Sequence, residues 1–357
     1  MMTQSTNAKK KQKSAKNDRF LSVLPYNLFV WFILLLYLLP IGFMITTAFK
    51  PTAQLSDRKA PLYPSRITPY TYEGSDYQIY NVPIEQGVEQ LAMVNPGTKS
   101  SEFVSPKQPE ATPVTWEGNW RSLTAVYEFA PTLENFSVLA NSLSLPKMAA
   151  NTLLIIIIGE VGVLASSIVV AYGFARFRIP GGNFLFYILI ATILIPEKII
   201  FIPTYFYYIN TLGWKDTLYP ILLPLFFGNA VYIFLLRQNF RGVPVELEEA
   251  AMLDGAGPLR RLFSVILPQS WPVVTTVSLL HFFYTWNEVR LASLYLSASS
   301  TFMPISFGIQ NYQTRIRIDN VIQAGTLMVL VVPVIVLLLS QRVFMQGLVI
   351  TGTEQQK

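Results

Sequence analysis

Six stretches of this 357-residue chain stay apolar for close to a helix-span each: roughly 27–48, 149–173, 184–203, 217–236, 271–290 and 323–342. A bilayer core of about 30 Å is crossed by about 20 apolar residues in a helix. The first stretch, Leu28–Ile45, runs 18 residues without a charge. That exceeds the roughly 7–15 residues of a cleaved signal core, so it is expected to remain as a spanning helix. Composition points the same way, with 13% of residues charged and 52% hydrophobic, against about 25% charge in a soluble domain. Most of the surface must face something other than water. The net charge of +6 does not redirect the reading to nucleic acid. Lys9, Lys10, Lys11, Lys13, Lys16 and Arg19 form one run before the first apolar stretch, where a cytoplasmic anchor belongs. With no cysteine and one histidine, disulfides and thiolate metal sites are excluded, and transition-metal chemistry is disfavoured.

Loop charges give the orientation. With the N-terminus inside, the inward loops carry Arg176, Arg178, Arg237, Arg241, Arg260 and Arg261, and the tail carries Arg342 and Lys357. The outward loops carry Lys198, Lys215, Arg290, Arg315 and Arg317, interleaved with Glu197, Asp216, Glu288 and Asp319. Positive-inside counting places both termini in the cytoplasm, and an even number of spans agrees. The chain then divides into a basic tail (1–26), a first transmembrane helix (27–48), an extracytoplasmic loop and insertion (49–148), a five-helix core (149–342) with an inward loop at 237–270, and a cytoplasmic tail (343–357). Within the long outer loop, Tyr77–Val82 alternates as a strand does. Gln90–Val94 and Glu102–Val104 are short apolar patches bounded by Asn95-Pro96-Gly97 and Pro106, so a small β-rich lobe is expected near 60–125. Trp116, Trp120 and Tyr127 there either form a recognition surface or pack the lobe onto the outer ends of the helices.

The inward loop carries the most specific signal. Pro244 suits the first turn of a helix, and Glu246, Glu248 and Glu249 follow at the positive end of its dipole. Gly255 ends the helix, and Gly257-Pro258 prevents its continuation. Leu247, Ala250, Ala251 and Asp254 share one face by helical spacing. The predicted product is a short helix along the membrane that offers a small-residue face and acids to a cytoplasmic partner.

Glu249-Ala250-Ala251, then Gly255, then Val265 and Leu267-Pro268 resemble the hallmark of binding-protein-dependent ABC importer permeases, with Val265 where isoleucine is usual. The segments 171–177, 235–240, 253–256, 283–288 and 342–348 are similar to the carbohydrate-uptake branch, and within it to the G-type permease subunits of maltose transporters. The likeness covers about 25–50 and 130–350 and leaves out the 60–125 insertion. It implies an all-α, six-transmembrane-helix permease bundle that moves a sugar or related polyhydroxylated solute by alternating access. It also implies partners: a second homologous permease, two ATP-binding subunits that hold ATP and Mg, and an extracytoplasmic solute-binding protein. Glu249, Ala250, Ala251, Asp254, Gly255, Leu267 and Pro268 would couple the chain to the ATPase. The chain itself has no phosphate-loop motif, so no cofactor and no enzymatic role are expected of it.

Two spans carry polar groups at depth, where such groups usually face a bundle interior or an aqueous path. Glu160 lies within the second. In the fifth, His281 shares a stripe with Ser278, Tyr284, Thr285 and Glu288, while Phe282, Phe283 and Trp286 lie on other faces. These six polar residues are candidates for a solute path, and interior hydrogen bonding is the competing role. An ion-gradient-driven secondary transporter would instead use Glu160 and His281 as proton carriers, but it calls for internal repeats that the sequence lacks. A membrane-bound glycosyltransferase would place its chemistry in the outer insertion, which has no histidine and no local acid motif.

Overall fold

The computed structural model describes residues 2–84, 87–108, 112–315 and 318–353, with side chains for all of these except 2–22, 197–198 and 342–353. Arg317 and Lys357 lie outside the described residues. So do the side chains of the basic run, Glu197, Lys198 and Arg342. The chain forms two units, residues 1–139 with 318–327, and residues 140–317 with 328–357.

In the first unit, α1 (Met2–Ala48) is one helix through both the tail and the first apolar stretch. Good helix formers such as Lys, Gln and Ala carry the helix past the charge boundary. Its membrane-length part is Val23–Ala48, whose large apolar side chains are exposed as a lipid-facing surface. The chain beyond it, through the short α2 (Thr52–Leu55), is held by two buried asparagines. Asn135 lies in α3 (Glu134–Ser142), and Asn320 begins α15 (Asp319–Thr353). Asn135 Nδ2 donates to the carbonyls of Ala48 and Lys50 at 2.7 and 2.8 Å. Asn320 Nδ2 donates to the Lys50 carbonyl at 3.0 Å and to Asn135 Oδ1 at 2.9 Å. The carbonyls that a helix end leaves unsatisfied thereby find donors out of water.

The insertion is a β lobe, as the alternation predicted. Strands β1 (Ser65–Ile67), β2 (Pro69–Tyr72), β3 (Ser75–Ile84), β4 (Gly87–Asn95), β5 (Ser100–Val104), β6 (Val114–Glu117), β7 (Thr124–Ala125) and β8 (Tyr127–Phe129) are arranged in two sheets. The larger runs β2-β3-β4-β5-β6, with β7 on β3, and β1 pairs with β8. The β3–β4 register sets Tyr80 opposite Leu91 and Val82 opposite Glu89. Tyr80, Val82, Leu91, Phe103, Leu123 and Ala125 form the core, against which Trp116, Trp120 and Tyr127 pack. Trp116 meets Phe103 edge-on at 6.5 Å and Trp120 meets Tyr80 at 6.1 Å. Tyr127 donates its hydroxyl to the Asp57 carboxylate. Burial, then that carboxylate, holds the phenol above its ordinary value. All three are half-buried, so each packs on the lobe's core and keeps part of its ring at the surface.

The second unit contains α4 (Leu145–Arg176), α5 (Gly182–Ala191), α6 (Glu197–Phe206), α7 (Tyr219–Leu222), α8 (Ala230–Gly242), α9 (Val245–Leu253), α10 (Pro258–Arg261), α11 (Leu267–Gln269), α12 (Trp271–Trp286), α13 (Arg290–Tyr295) and α14 (Ile305–Arg315). Across the described residues four helices can cross a membrane, or six if each of two bent pairs is one span. The 184–203 stretch is one of these bent pairs, turning 90° between Gly182–Leu194 and Ile199–Thr211. Pro196 supplies no N–H, and Ile195 before it is extended at φ −73°, ψ 119°. The 217–236 stretch is interrupted before α8, where Asn229 Oδ1 caps the new helix by accepting from Val231 N at 2.9 Å. The fifth stretch ends as a helix at Trp286, short of 290. The unit's core is built where Val163, Ala171 and Tyr172 of α4 meet Tyr232, Ile233, Leu236 and Phe240 of α8, with Leu262, Ile266 and Val277.

Candidate functional site

The inward loop folds as its residues predict. α9 starts after Pro244, has Glu246 and Glu248 in its first turn and ends at Leu253. Gly255 follows at φ +76°, a conformation that a side chain would strain. Gly255 N donates to the Met252 carbonyl at 3.0 Å and Ala256 N to the Ala251 carbonyl at 2.9 Å, the paired bonds of a Schellman ending. Glu249, Ala250 and Asp254 are exposed and Ala251 is half-buried. Leu253 is 90% exposed, and Leu247, Met252, Leu259 and Phe263 are also exposed. The inward loop thus leaves apolar side chains exposed beside the acids of α9. Leu267 is half-buried and Pro268 is exposed. Leu267 packs against the core, and Pro268 lies in α11 just before the chain bends 83° into α12.

What fixes α9 in place is a residue outside the predicted set. Glu248, 4% exposed, pairs with Arg176 Nε at 2.5 Å. Tyr172 Oη lies 3.4 Å from Glu248 Oε2 and donates to the Pro258 carbonyl at 3.3 Å. Arg176 Nη2 donates to the Val243 carbonyl at 2.5 Å. Tyr172 and Arg176 are one helical turn apart at the end of α4, so one face of a spanning helix grips both ends of α9. Three adjacent glutamates could be told apart in the sequence only by noticing that a tyrosine and an arginine four residues apart need one acid between them.

The predicted polar stripe separates into two groups. Glu160 of α4 has both carboxylate oxygens buried without a well-formed hydrogen bond, and the Ser278 hydroxyl faces it. His281 is 1% exposed, with Nε2 3.4 Å from Thr285 Oγ1 and its ring edge-on to Tyr232 at 6.3 Å. Tyr232, which the sequence did not single out, completes an interior cluster across α4, α8 and α12. Gly159 makes room for it, since a Cβ there would stand 2.7 Å from Leu225 Cδ1 and 3.0 Å from His281 Nε2. Tyr284 and Glu288 lie apart from this cluster and line a neighbouring pocket with Thr285, Thr152 and Leu291. Glu288 also accepts from Leu291 N at 2.8 Å, capping α13. Trp286 is buried and stacks on Phe282 at 5.8 Å.

The sn-glycerol-3-phosphate transport system permease protein UgpE of Yersinia pestis bv. Antiqua (strain Antiqua) is 32% identical over 212 residues, covering 58% of this chain and 74% of the relative. A putative ABC transporter permease protein, ORF2, of Caldicellulosiruptor sp. (strain Rt8B.4) is 32% identical over 190 residues, covering 53% and 68%. In fold, the chain is similar to a crystal structure of a bacterial ABC transporter involved in the import of the acidic polysaccharide alginate. That match has a TM-score of 0.63 at 18% identity over 91% of this chain and 96% of that one. The model of the family described as binding-protein-dependent transport system inner membrane component matches residues 162–349, which include the whole inward loop and the interior cluster apart from Gly159 and Glu160. The chain is a member of that family, a multi-pass transport subunit of the inner membrane and not an enzyme.

Proposed function

We propose that this chain imports a sugar or related polyhydroxylated solute, delivered by an extracytoplasmic binding protein and driven by ATP hydrolysed on separate subunits. The observation that carries this reading is α9, anchored from behind by Glu248 and presenting Glu249, Ala250 and Asp254 with an apolar patch outward. A helix so fixed can transmit a partner's motion to α4 rigidly. The remaining partners are a second homologous permease and a second ATP-binding subunit, with ATP and Mg2+ held there. Both termini lie in the cytoplasm, consistent with the inward arginines. Solute class follows from the interior hydroxyl, imidazole and carboxyl groups, which suit a hydroxyl-rich cargo. A relative named for glycerol 3-phosphate, itself a polyol derivative, supports it.

The absence of native cysteine makes this testable by labelling. A single cysteine replacing Met252 should react from the cytoplasmic side in the permease alone. It should be protected at least tenfold once the ATP-binding subunits assemble. A cysteine at Leu62, 81% exposed in the β lobe, should react from the opposite side and stay unaffected. Equal reactivity of the Met252 position with and without the ATPase would remove the docking assignment.

A further inference from the structure

The turn between α4 and α5 and the last turns of α8 enclose a pocket that neither α9 nor the interior cluster uses. Phe174, Phe177, Arg178, Asn183, Phe184 and Arg237 line it. Arg237 is 8% exposed. Its Nε donates to the Phe174 carbonyl at 3.3 Å, and its guanidinium carbon lies 3.9 Å from the centroid of the Phe186 ring. Among the described residues, neither a hydrogen bond to its Nη atoms nor a carboxylate partner is found. Arg178 joins it at the pocket wall, Arg241 stands within Coulombic range of it, and no acid is among the lining residues. A buried guanidinium without a counter-charge is costly. An anion in the pocket would supply the counter-charge, and the planar fork of Arg237 matches a phosphate. In the first turn of the ten-residue α5, Gly182 N donates to the Ile179 carbonyl at 2.9 Å, and the N–H groups of Asn183 and Phe184 have no such partner among the described residues.

The rim identifies what carries that phosphate. Phe177, Ile179 and Phe184 are exposed apolar side chains around the pocket, and Leu185, Tyr187 and Ile188 continue the apolar surface along α5. On a membrane-spanning unit such a surface faces acyl chains. A cationic base with an apolar rim at the end of two spans suits an amphiphile at the bilayer interface. We propose that this pocket binds the headgroup of an anionic phospholipid, its phosphate held by Arg237 and Arg178 and its acyl chains lying against Phe177, Ile179 and Phe184. An excess of arginines with no acid selects a net-negative headgroup over a zwitterionic one.

Native mass spectrometry of the purified full-length permease, alone and in its complex, tests this with phosphatidylglycerol and phosphatidylcholine as probes. The wild type should retain phosphatidylglycerol preferentially. Arg237→Gln should weaken retention about tenfold, and Arg178→Gln, at an exposed position that folding does not need, about fivefold. Arg58→Gln in the first unit should leave it unchanged. Phosphatidylglycerol retention unaltered by both pocket variants would overturn the proposal. Displacement by millimolar inorganic phosphate alone would also overturn it, in favour of a free anion. Retention by the isolated permease but exclusion from the complex would overturn it by assigning the pocket to an acid of a partner subunit.

Discussion

Replacing Ala250 with tryptophan should lower solute uptake by at least about fivefold while leaving membrane insertion and folding intact. Ala250 is exposed on α9, so an indole there meets nothing in this chain. Any loss must come from the partner that approaches this face. Overpacking a closely fitted contact costs about 1–3 kcal/mol, roughly a 5- to 150-fold weaker coupling. Ala251→Trp should lower uptake further, but Ala251 is half-buried, so that variant mixes docking with folding. Uptake and solute-stimulated ATP hydrolysis in proteoliposomes check both, with thermal unfolding as the folding control. Wild-type uptake by Ala250→Trp would show that nothing docks on this face.

The second large effect belongs to Glu248. Glu248→Ala leaves the Arg176 guanidinium, whose side chain is 11% exposed, without its 2.5 Å partner. Breaking a buried pair from one side costs about 3–5 kcal/mol, while replacing both members with apolar residues of similar volume is often neutral. Glu248→Ala should therefore lower the melting temperature of the purified subunit markedly, and Glu248→Leu with Arg176→Met should recover most of it. The double variant has an intact docking face on a helix that the Glu248–Arg176 pair no longer ties to α4. Uptake per ATP hydrolysed should fall in it even as stability returns. A double variant as unstable as Glu248→Ala would mean that the two residues do not act as a pair.

Much of this was readable from the sequence, because it rests on local pattern. Apolar length located the spans, period-two alternation located β3, short apolar patches between turn residues located β4 and β5, and Gly255 after an acidic first turn bounded α9. What the sequence did not reveal depends on tertiary position. The 90° bend at Pro196 sits inside a stretch whose apolarity alone reads as straight. Asn135 and Asn320 meet across 185 positions of chain, and nothing in either neighbourhood signals the other. The choice of Glu248 over its neighbours, and the pairing of Tyr232 with His281, follow from which way α9 and α8 face. That is decided by packing against α4. The stripe expected on α12 is only partly brought together, with Thr285 beside His281. It divided in the fold because Glu160 faces Ser278, whereas Tyr284 and Glu288 lie nearer α13.

Uptake of a radiolabelled solute panel into proteoliposomes tests the central claim most directly, with the permease pair, the ATP-binding subunits and the binding protein supplied or withheld in turn. Accumulation of a polyhydroxylated solute should require all of them together with ATP and Mg2+ on the α9 side, and should be indifferent to proton or sodium gradients. Accumulation by the permease chains alone under an ion gradient, without ATP, would contradict the account and restore the secondary-transporter reading.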